Sequence, residues 1–299
     1  MAADDAADDT VRAVLRTAWH LPPDGCTRMP GGMTSATWTV EAGGRRYVAK
    51  LVPGGHRAAF EAGLTLAERL CAAGIDAGRP VRAADGSLSV PFDAAALALL
   101  EHVEGRPLDP ADPIDQQWWG DRLGAVHREL VDVTLRGLTP WHWVREDAGH
   151  LNLEPWLRPA VAAATHALAR LQITDRLTVG ALHGDPCHDA FLLDRQTGRT
   201  GVIDWGSACA GPFVYDVASA VMYAGGIDRA GDFLDAYAAA GPVPAAELEA
   251  ALPVLLRFRW AVQADWFAAR IAAGDETGAD AAGNLRGLYD ARDALLPSA

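Results

Sequence analysis

Four apolar positions, Val11, Val14, Leu15 and Trp19, recur at helical spacing and predict a first helix over 5–19, ended by Pro22 and Pro23. The period then changes. Ala36–Val40 and Arg45–Val52 are rich in β-formers and flank Gly43-Gly44, so they predict strand, turn, strand. By the two-residue period, Val48, Lys50 and Val52 share one face of the second strand, and Tyr47, Ala49 and Leu51 share the other. His56–Leu70 returns to a helical stripe, with Phe60, Leu64, Ala67 and Cys71 on one face. Ala94–Leu100 is a continuous apolar run that predicts a buried strand, followed by a short polar linker. From residue 114 the pattern is helical, with Trp118, Trp119, Leu123, Val126 and Leu130 in one stripe. Ala190–Leu193 and Thr200–Ile203 are short apolar runs on either side of Asp194–Arg199, a polar loop containing glycine, and predict a hairpin. Gly231–Leu296 is alanine- and leucine-rich helix.

At 299 residues, half of them hydrophobic, the chain is long enough for two lobes with separate cores. No apolar run reaches the roughly 18 to 20 residues that span a membrane. The acidic start MAADDAADDT lacks the basic and apolar regions of a signal peptide, which makes the cytoplasm the expected location. A net charge of −13 argues against nucleic acid and anionic membranes as partners and is compatible with a cationic small molecule. Cys26, Cys71, Cys187 and Cys209 have no paired spacing, so ordinary reduced thiols are expected rather than a zinc site.

Candidate chemistry is concentrated in residues 182–205, LHGDPCHDAFLLDRQTGRTGVIDW. A hairpin here would bring Asp185, just before it, near Asp204 at its end. Two such carboxylates suit phosphoryl transfer: one takes the proton of an attacking hydroxyl, the other holds magnesium on ATP. Lys50, between two valines on one strand face, is expensive to bury unless it is paired or liganded. Glu61, at the edge of the following helix stripe, and Glu68, seven residues on, are candidate partners. Gly31, Gly32 and Ser35 form a small-residue loop whose backbone N–H groups are open to an anion. Residues 137–157 gather Trp141, Trp143 and Trp156 with His142, Glu146, Asp147 and His150. That set suits either a stacked cationic or sugar-like ligand or plain packing of an irregular loop. His127 on its helix reads as a structural histidine.

These motifs, in this order, resemble the aminoglycoside phosphotransferase and choline kinase-like superfamily. Its pattern is H-G-D, four residues, an asparagine, then a hairpin ending in I-D-W. His183-Gly184-Asp185 and Ile203-Asp204-Trp205 match, while alanine stands at position 190 in place of the asparagine. The resemblance implies an α+β, protein-kinase-like two-lobe fold: a small, mainly antiparallel β lobe over 1–103 that binds nucleotide, and a larger, mainly helical lobe over 104–299. It implies Asp185 as the catalytic base, Asp204 as a magnesium ligand, and Lys50 braced by Glu61 on the phosphates of ATP. Gly31, Gly32 and Ser35 would cover those phosphates, and the linker around Glu101–Val103 would take the adenine. Asp216, in the downstream segment Gly211-Pro212 to Ala218, would support the catalytic loop by hydrogen bonding. For the missing asparagine three readings stand. Asp189 coordinates instead, with His188 a weaker substitute; water fills the position; or the protein is a pseudokinase that binds nucleotide or a partner without turnover. The implied function is ATP-dependent phosphorylation of a small-molecule hydroxyl, with an aminoglycoside-like antibiotic the first expectation. Choline-, homoserine- or sugar-like metabolites and a modified peptide are the alternatives. The acceptor, the choice of ATP over GTP and the oligomeric state are left open by sequence.

Overall fold

The computed structural model describes residues 2–141 and 144–296, with side chains from residue 8 onward. The first elements are α1 (Ala2–Ala18), β1 (Gly25–Arg28), β2 (Ala36–Ala42), β3 (Arg45–Pro53) and α2 (Arg57–Ala72). Next come β4 (Pro80–Val81), β5 (Val90–Phe92), β6 (Ala95–Glu101) and β7 (Arg106–Pro107). A helical stretch follows: α3 (Pro113–Leu130), β8 (Thr139–Pro140) and α4 (Leu157–Thr174). Then come β9 (Val179–Leu182), β10 (Phe191–Asp194), β11 (Arg199–Val202) and β12 (Cys209–Pro212). The chain closes with α5 (Phe213–Tyr223), α6 (Gly231–Ala240), α7 (Ala245–Ala273) and α8 (Ala281–Leu295). It divides into two compact units. One holds 1–106, 135–138 and 192–207; the other holds 107–134, 139–191 and 208–299.

The first unit is built on an antiparallel sheet in the order β1-β2-β3-β6-β4, with β5 also on β6. Gly43 and Gly44, both at positive φ, make the β2–β3 turn and set the register Ala36↔Leu51 through Ala42↔Arg45. Both faces of the sheet are covered. Val11 and Leu15 of α1 pack with Trp38, Val40, Tyr47, Ala49, Leu97 and Leu99 on one side. Phe60 and Leu64 of α2 pack with Val52, Ala96 and Ala98 on the other. Each valine, leucine and phenylalanine among them contributes roughly 1.5–3 kcal/mol of burial. Lys50, opposite Ala98 in the register, shares the face of Val52 that α2 covers. The sheet has one strand more than the expected pattern. Gly25–Arg28 pairs with β2, so the Gly31-Gly32 loop lies inside a hairpin rather than ahead of the sheet. Four residues, Gly-Cys-Thr-Arg, carry too little alternation to announce a strand.

The second unit is mainly helical. On α3, Trp119, Leu123, Val126 and Leu130 of the predicted stripe are fully buried, while Trp118 is only half-buried. Asp112 caps the start of α3, its carboxylate accepting from Ile114 N at 2.8 Å, and Pro113 occupies the first turn. A small sheet, β8-β12-β9, runs beneath the helices, with Cys209↔Leu182 to Pro212↔Val179 antiparallel. β9 delivers the chain directly into His183-Gly184-Asp185. No helix among the described residues is long and apolar enough to cross a membrane.

Candidate active site

In the first unit, Lys50 and Asp204 are brought together from 154 residues apart. The Lys50 Nζ donates to Asp204 Oδ1 in a close ion pair. The lysine side chain is 12% exposed and the aspartate 61%. The hairpin that delivers Asp204 forms as the sequence pattern predicts. Asp194 closes its turn by accepting from Gln196 N at 2.9 Å and from the Thr197 hydroxyl at 2.6 Å. Asp204 itself sits at φ +66, in the left-handed region that few residues other than glycine adopt and that aspartate tolerates better than most. Gly63 of α2 makes this geometry reachable. A Cβ there would stand 2.2 Å from the Trp205 carbonyl oxygen, so only glycine lets the helix approach that backbone.

The other first-unit candidates are placed as follows. Glu61 accepts from Arg57 Nε at 3.0 Å and from the Ser89 hydroxyl at 2.7 Å, and is not paired with Lys50. Glu68 is held in a two-pronged pair by Arg82, at 3.0 and 2.7 Å. Gly31 and Gly32 lie exposed at φ +88 and +92, and a Cβ on Gly32 would meet the Ser35 carbonyl oxygen at 2.4 Å. Glu101 pairs with Arg45 at 3.0 Å, and its N–H donates to Arg79 O at 2.8 Å. Among the described residues no hydrogen bond falls on the Val103 N–H.

In the second unit, Asp185 Oδ1 accepts two hydrogen bonds, from the Tyr223 hydroxyl at 2.6 Å and from an Arg259 terminal nitrogen at 3.1 Å. The loop that carries it is tied to a buried carboxylate. Asp216 accepts from His183 N at 2.7 Å and from Gly184 N at 3.0 Å. His127 Nε2 lies 3.1 Å from the same carboxylate, and its Nδ1 lies 2.8 Å from the Tyr237 hydroxyl. A carboxylate only accepts, so Nε2 carries the proton and Nδ1 takes the tyrosine's. Burial lowers the His127 pKa against the opposing pull of Asp216. The ring stacks on Phe213 at 4.3 Å between centroids. His127 is a structural histidine, and Asp216 acts by hydrogen bonding.

Asp189 is exposed, in a short helical turn over His188–Ala190, and accepts from the Cys187 thiol at 2.6 Å. Burial raises that thiol, and the charge of Asp185 adds to it. Ala190 is buried. His188 packs edge-on against Trp119 at 6.1 Å. In the tryptophan-rich segment, Trp141 is packed against Tyr215 and Phe258, each at 5.3 Å. His150 pairs with Asp265 at 2.6 Å. His142 and Trp143 lie outside the described residues.

Sequence reasoning missed two features. Lys50 is the only lysine among the 26 Lys+Arg of the chain, a compositional mark that singles it out before any motif is read. Arg259 falls on the buried stripe Leu252, Leu255, Arg259, Val262 of α7, an arginine where helical spacing calls for an apolar side chain. It donates to the Ser219 hydroxyl at 3.0 Å and to Tyr223 at 3.2 Å besides Asp185.

Comparisons with known proteins follow the same lines. The family described as the phosphotransferase enzyme family matches residues 25–254. No curated protein sequence matches. Among solved structures, an amicoumacin kinase in complex with AMP-PNP, Ca2+ and Ami is similar, at 18% identity and a TM-score of 0.74, over 99% of this chain and 96% of that one. A microcompartment-associated aminopropanol kinase follows at 19% identity and 0.73, over 96% and 95%. An aminoglycoside 2'-phosphotransferase in complex with GDP matches at 16% and 0.69, over 96% and 98%. At these identities the likeness is one of fold, and the fold is the kinase-like α+β one.

Proposed function

The chain belongs to the phosphotransferase enzyme family, and from that premise we propose that it moves the γ-phosphate of ATP to a hydroxyl of a small molecule. The observation that carries this reading is the ion pair joining the chain's one lysine to the aspartate of the I-D-W segment. Lys50 steadies the phosphates, and Gly31, Gly32 and Ser35 offer them backbone and hydroxyl donors. The unpaired Val103 N–H, two residues after Glu101, takes the base. Asp185 orients the acceptor hydroxyl and takes its proton as the new oxygen–phosphorus bond forms and the bond to ADP breaks, its electron pair leaving on ADP. Catalysis then rests on positioning and charge neutralisation.

The donors present fit magnesium. Asp204 offers a hard, exposed oxygen, and the described residues hold no cluster of three or more metal-binding side chains. An ion that keeps several waters and binds mainly phosphate needs only one or two carboxylates. When bound, magnesium supplies neutralisation of the β- and γ-phosphate charge. Asp204 holds it, and Asp189 is the proposed second ligand in place of the asparagine. An Asp189→Ala protein with unchanged magnesium dependence assigns that place to water.

For the acceptor we propose an amine-bearing alcohol of the aminoglycoside or amino-alcohol kind. The net charge of −13 supports it, as do the substrates named for two of the similar structures. Ala190 favours a second reading, a pseudokinase that binds nucleotide without turnover. Calorimetric titration with AMP-PNP, with and without magnesium, separates the two. Binding strengthened by magnesium supports the enzyme, and metal-indifferent binding supports the pseudokinase. No binding overturns both.

A further inference from the structure

We propose that Arg259, with Tyr223, is a positioning residue for Asp185: it fixes one carboxylate oxygen so that the other alone faces the acceptor hydroxyl. The inference rests on the reading of Asp185 as the base. Both hydrogen bonds to the carboxylate fall on Oδ1, from the Tyr223 hydroxyl at 2.6 Å and Arg259 at 3.1 Å. Among the described residues none falls on Oδ2. The arrangement is a closed triangle, because Arg259 also donates to the Tyr223 oxygen at 3.2 Å. With Arg259 as its donor, the tyrosine's own proton is left for Asp185.

Arg259 is rigid for its own reasons. Its side chain is 9% exposed, against 41% for Asp185. Its Nε donates to Ser219, one turn before Tyr223 on α5, and its guanidinium lies 5.7 Å from the Tyr223 ring centre. Burial works against its charge, and Asp185 opposes that effect by charge and by hydrogen bond. Burial also pushes both phenols up, so they stay neutral near pH 7 and Asp185 is the countercharge. A planar fork that meets three partners at once cannot be reproduced by lysine. With Oδ1 tied by two donors, rotation of the carboxylate is restrained, and Oδ2 keeps one direction of approach. Orientation at this level governs rate more than affinity.

The test is a double-mutant cycle on the release of phosphate from magnesium-ATP with water as the acceptor, with AMP-PNP affinity measured beside it. Arg259→Met lowers kcat by roughly 100-fold and leaves AMP-PNP affinity unchanged. Tyr223→Phe, which keeps the ring, costs a smaller factor, and Arg259→Lys falls between. In an Asp185→Asn background, Arg259→Met costs nothing further, because the group it acts through is gone. An equal loss in both backgrounds, or an unchanged kcat in Arg259→Met, overturns the inference while the base assignment stands. Unchanged release in Asp185→Asn overturns the base assignment itself. A crystal structure of Arg259→Met decides independently of turnover. Asp185 is expected to leave its rotamer, and an unmoved carboxylate contradicts the proposal.

Discussion

Replacing Asp216 by asparagine changes one oxygen to an NH2 and removes a buried charge, with almost no change in volume. The carboxylate is fully buried and receives His183 N–H, Gly184 N–H and His127 Nε2–H. An amide has one accepting oxygen. Turned toward His183 and His127, it leaves its NH2 against the Gly184 N–H, donor against donor. Turned the other way, it confronts two donors instead of one, so the first orientation wins. An unsatisfied buried donor costs about 1–3 kcal/mol, and the two remaining bonds lose their charge assistance. Together these come to about 3 kcal/mol, a large part of the roughly 5–15 kcal/mol that holds a domain folded. In a unit of this size that lowers Tm by roughly 6–12 °C. The loop losing its anchor also carries Asp185, so turnover falls too. Differential scanning calorimetry reads the first effect, and kcat at a temperature where the variant is fully folded reads the second. A Tm within 2 °C of the parent, or full kcat, refutes the anchoring argument.

Stability should fall as pH drops from about 7 to 5.5, because His127 has a lowered pKa when folded. Below the ordinary histidine value of about 6.5 the unfolded chain binds a proton that the folded one refuses. The Tm slope over that window should flatten in His127→Gln, and an identical slope removes His127 as its source. Gly63→Ala should cost about 1–3 kcal/mol by forcing α2 off the Trp205 backbone, seen as a lower urea midpoint. An unchanged midpoint contradicts that close approach. Since Lys50 is the one lysine, amine acetylation followed by mass spectrometry reports on it directly. ATP should slow its modification at least several-fold, and equal rates with and without nucleotide remove it from the phosphate site.

What the sequence made legible follows from which features are local. The glycine turn, the β3 alternation and the α2 stripe are each set by near neighbours, so strand, turn, strand and helix stand close to where periodicity puts them. The Asp194 turn is equally local. His183-Gly184-Asp185 and Ile203-Asp204-Trp205 are contiguous motifs and were visible as such. Arg259 was not, since its partners Ser219, Tyr223 and Asp185 lie 36 to 74 residues away and nothing local to α7 demands it. The partners of Glu61 and Glu68 were likewise hidden. Arg57 is one helical turn from Glu61, but Ser89 and Arg82 reach these glutamates only through the folded sheet.

The most direct test of the account follows γ-labelled ATP, with magnesium, through a panel of amine-bearing alcohols, for the parent protein and Asp185→Asn side by side. If Asp185 is the base, label appears on the hydroxyl of at least one acceptor with the parent and on none with Asp185→Asn, at equal AMP-PNP affinity. Transfer that survives Asp185→Asn undiminished would contradict it.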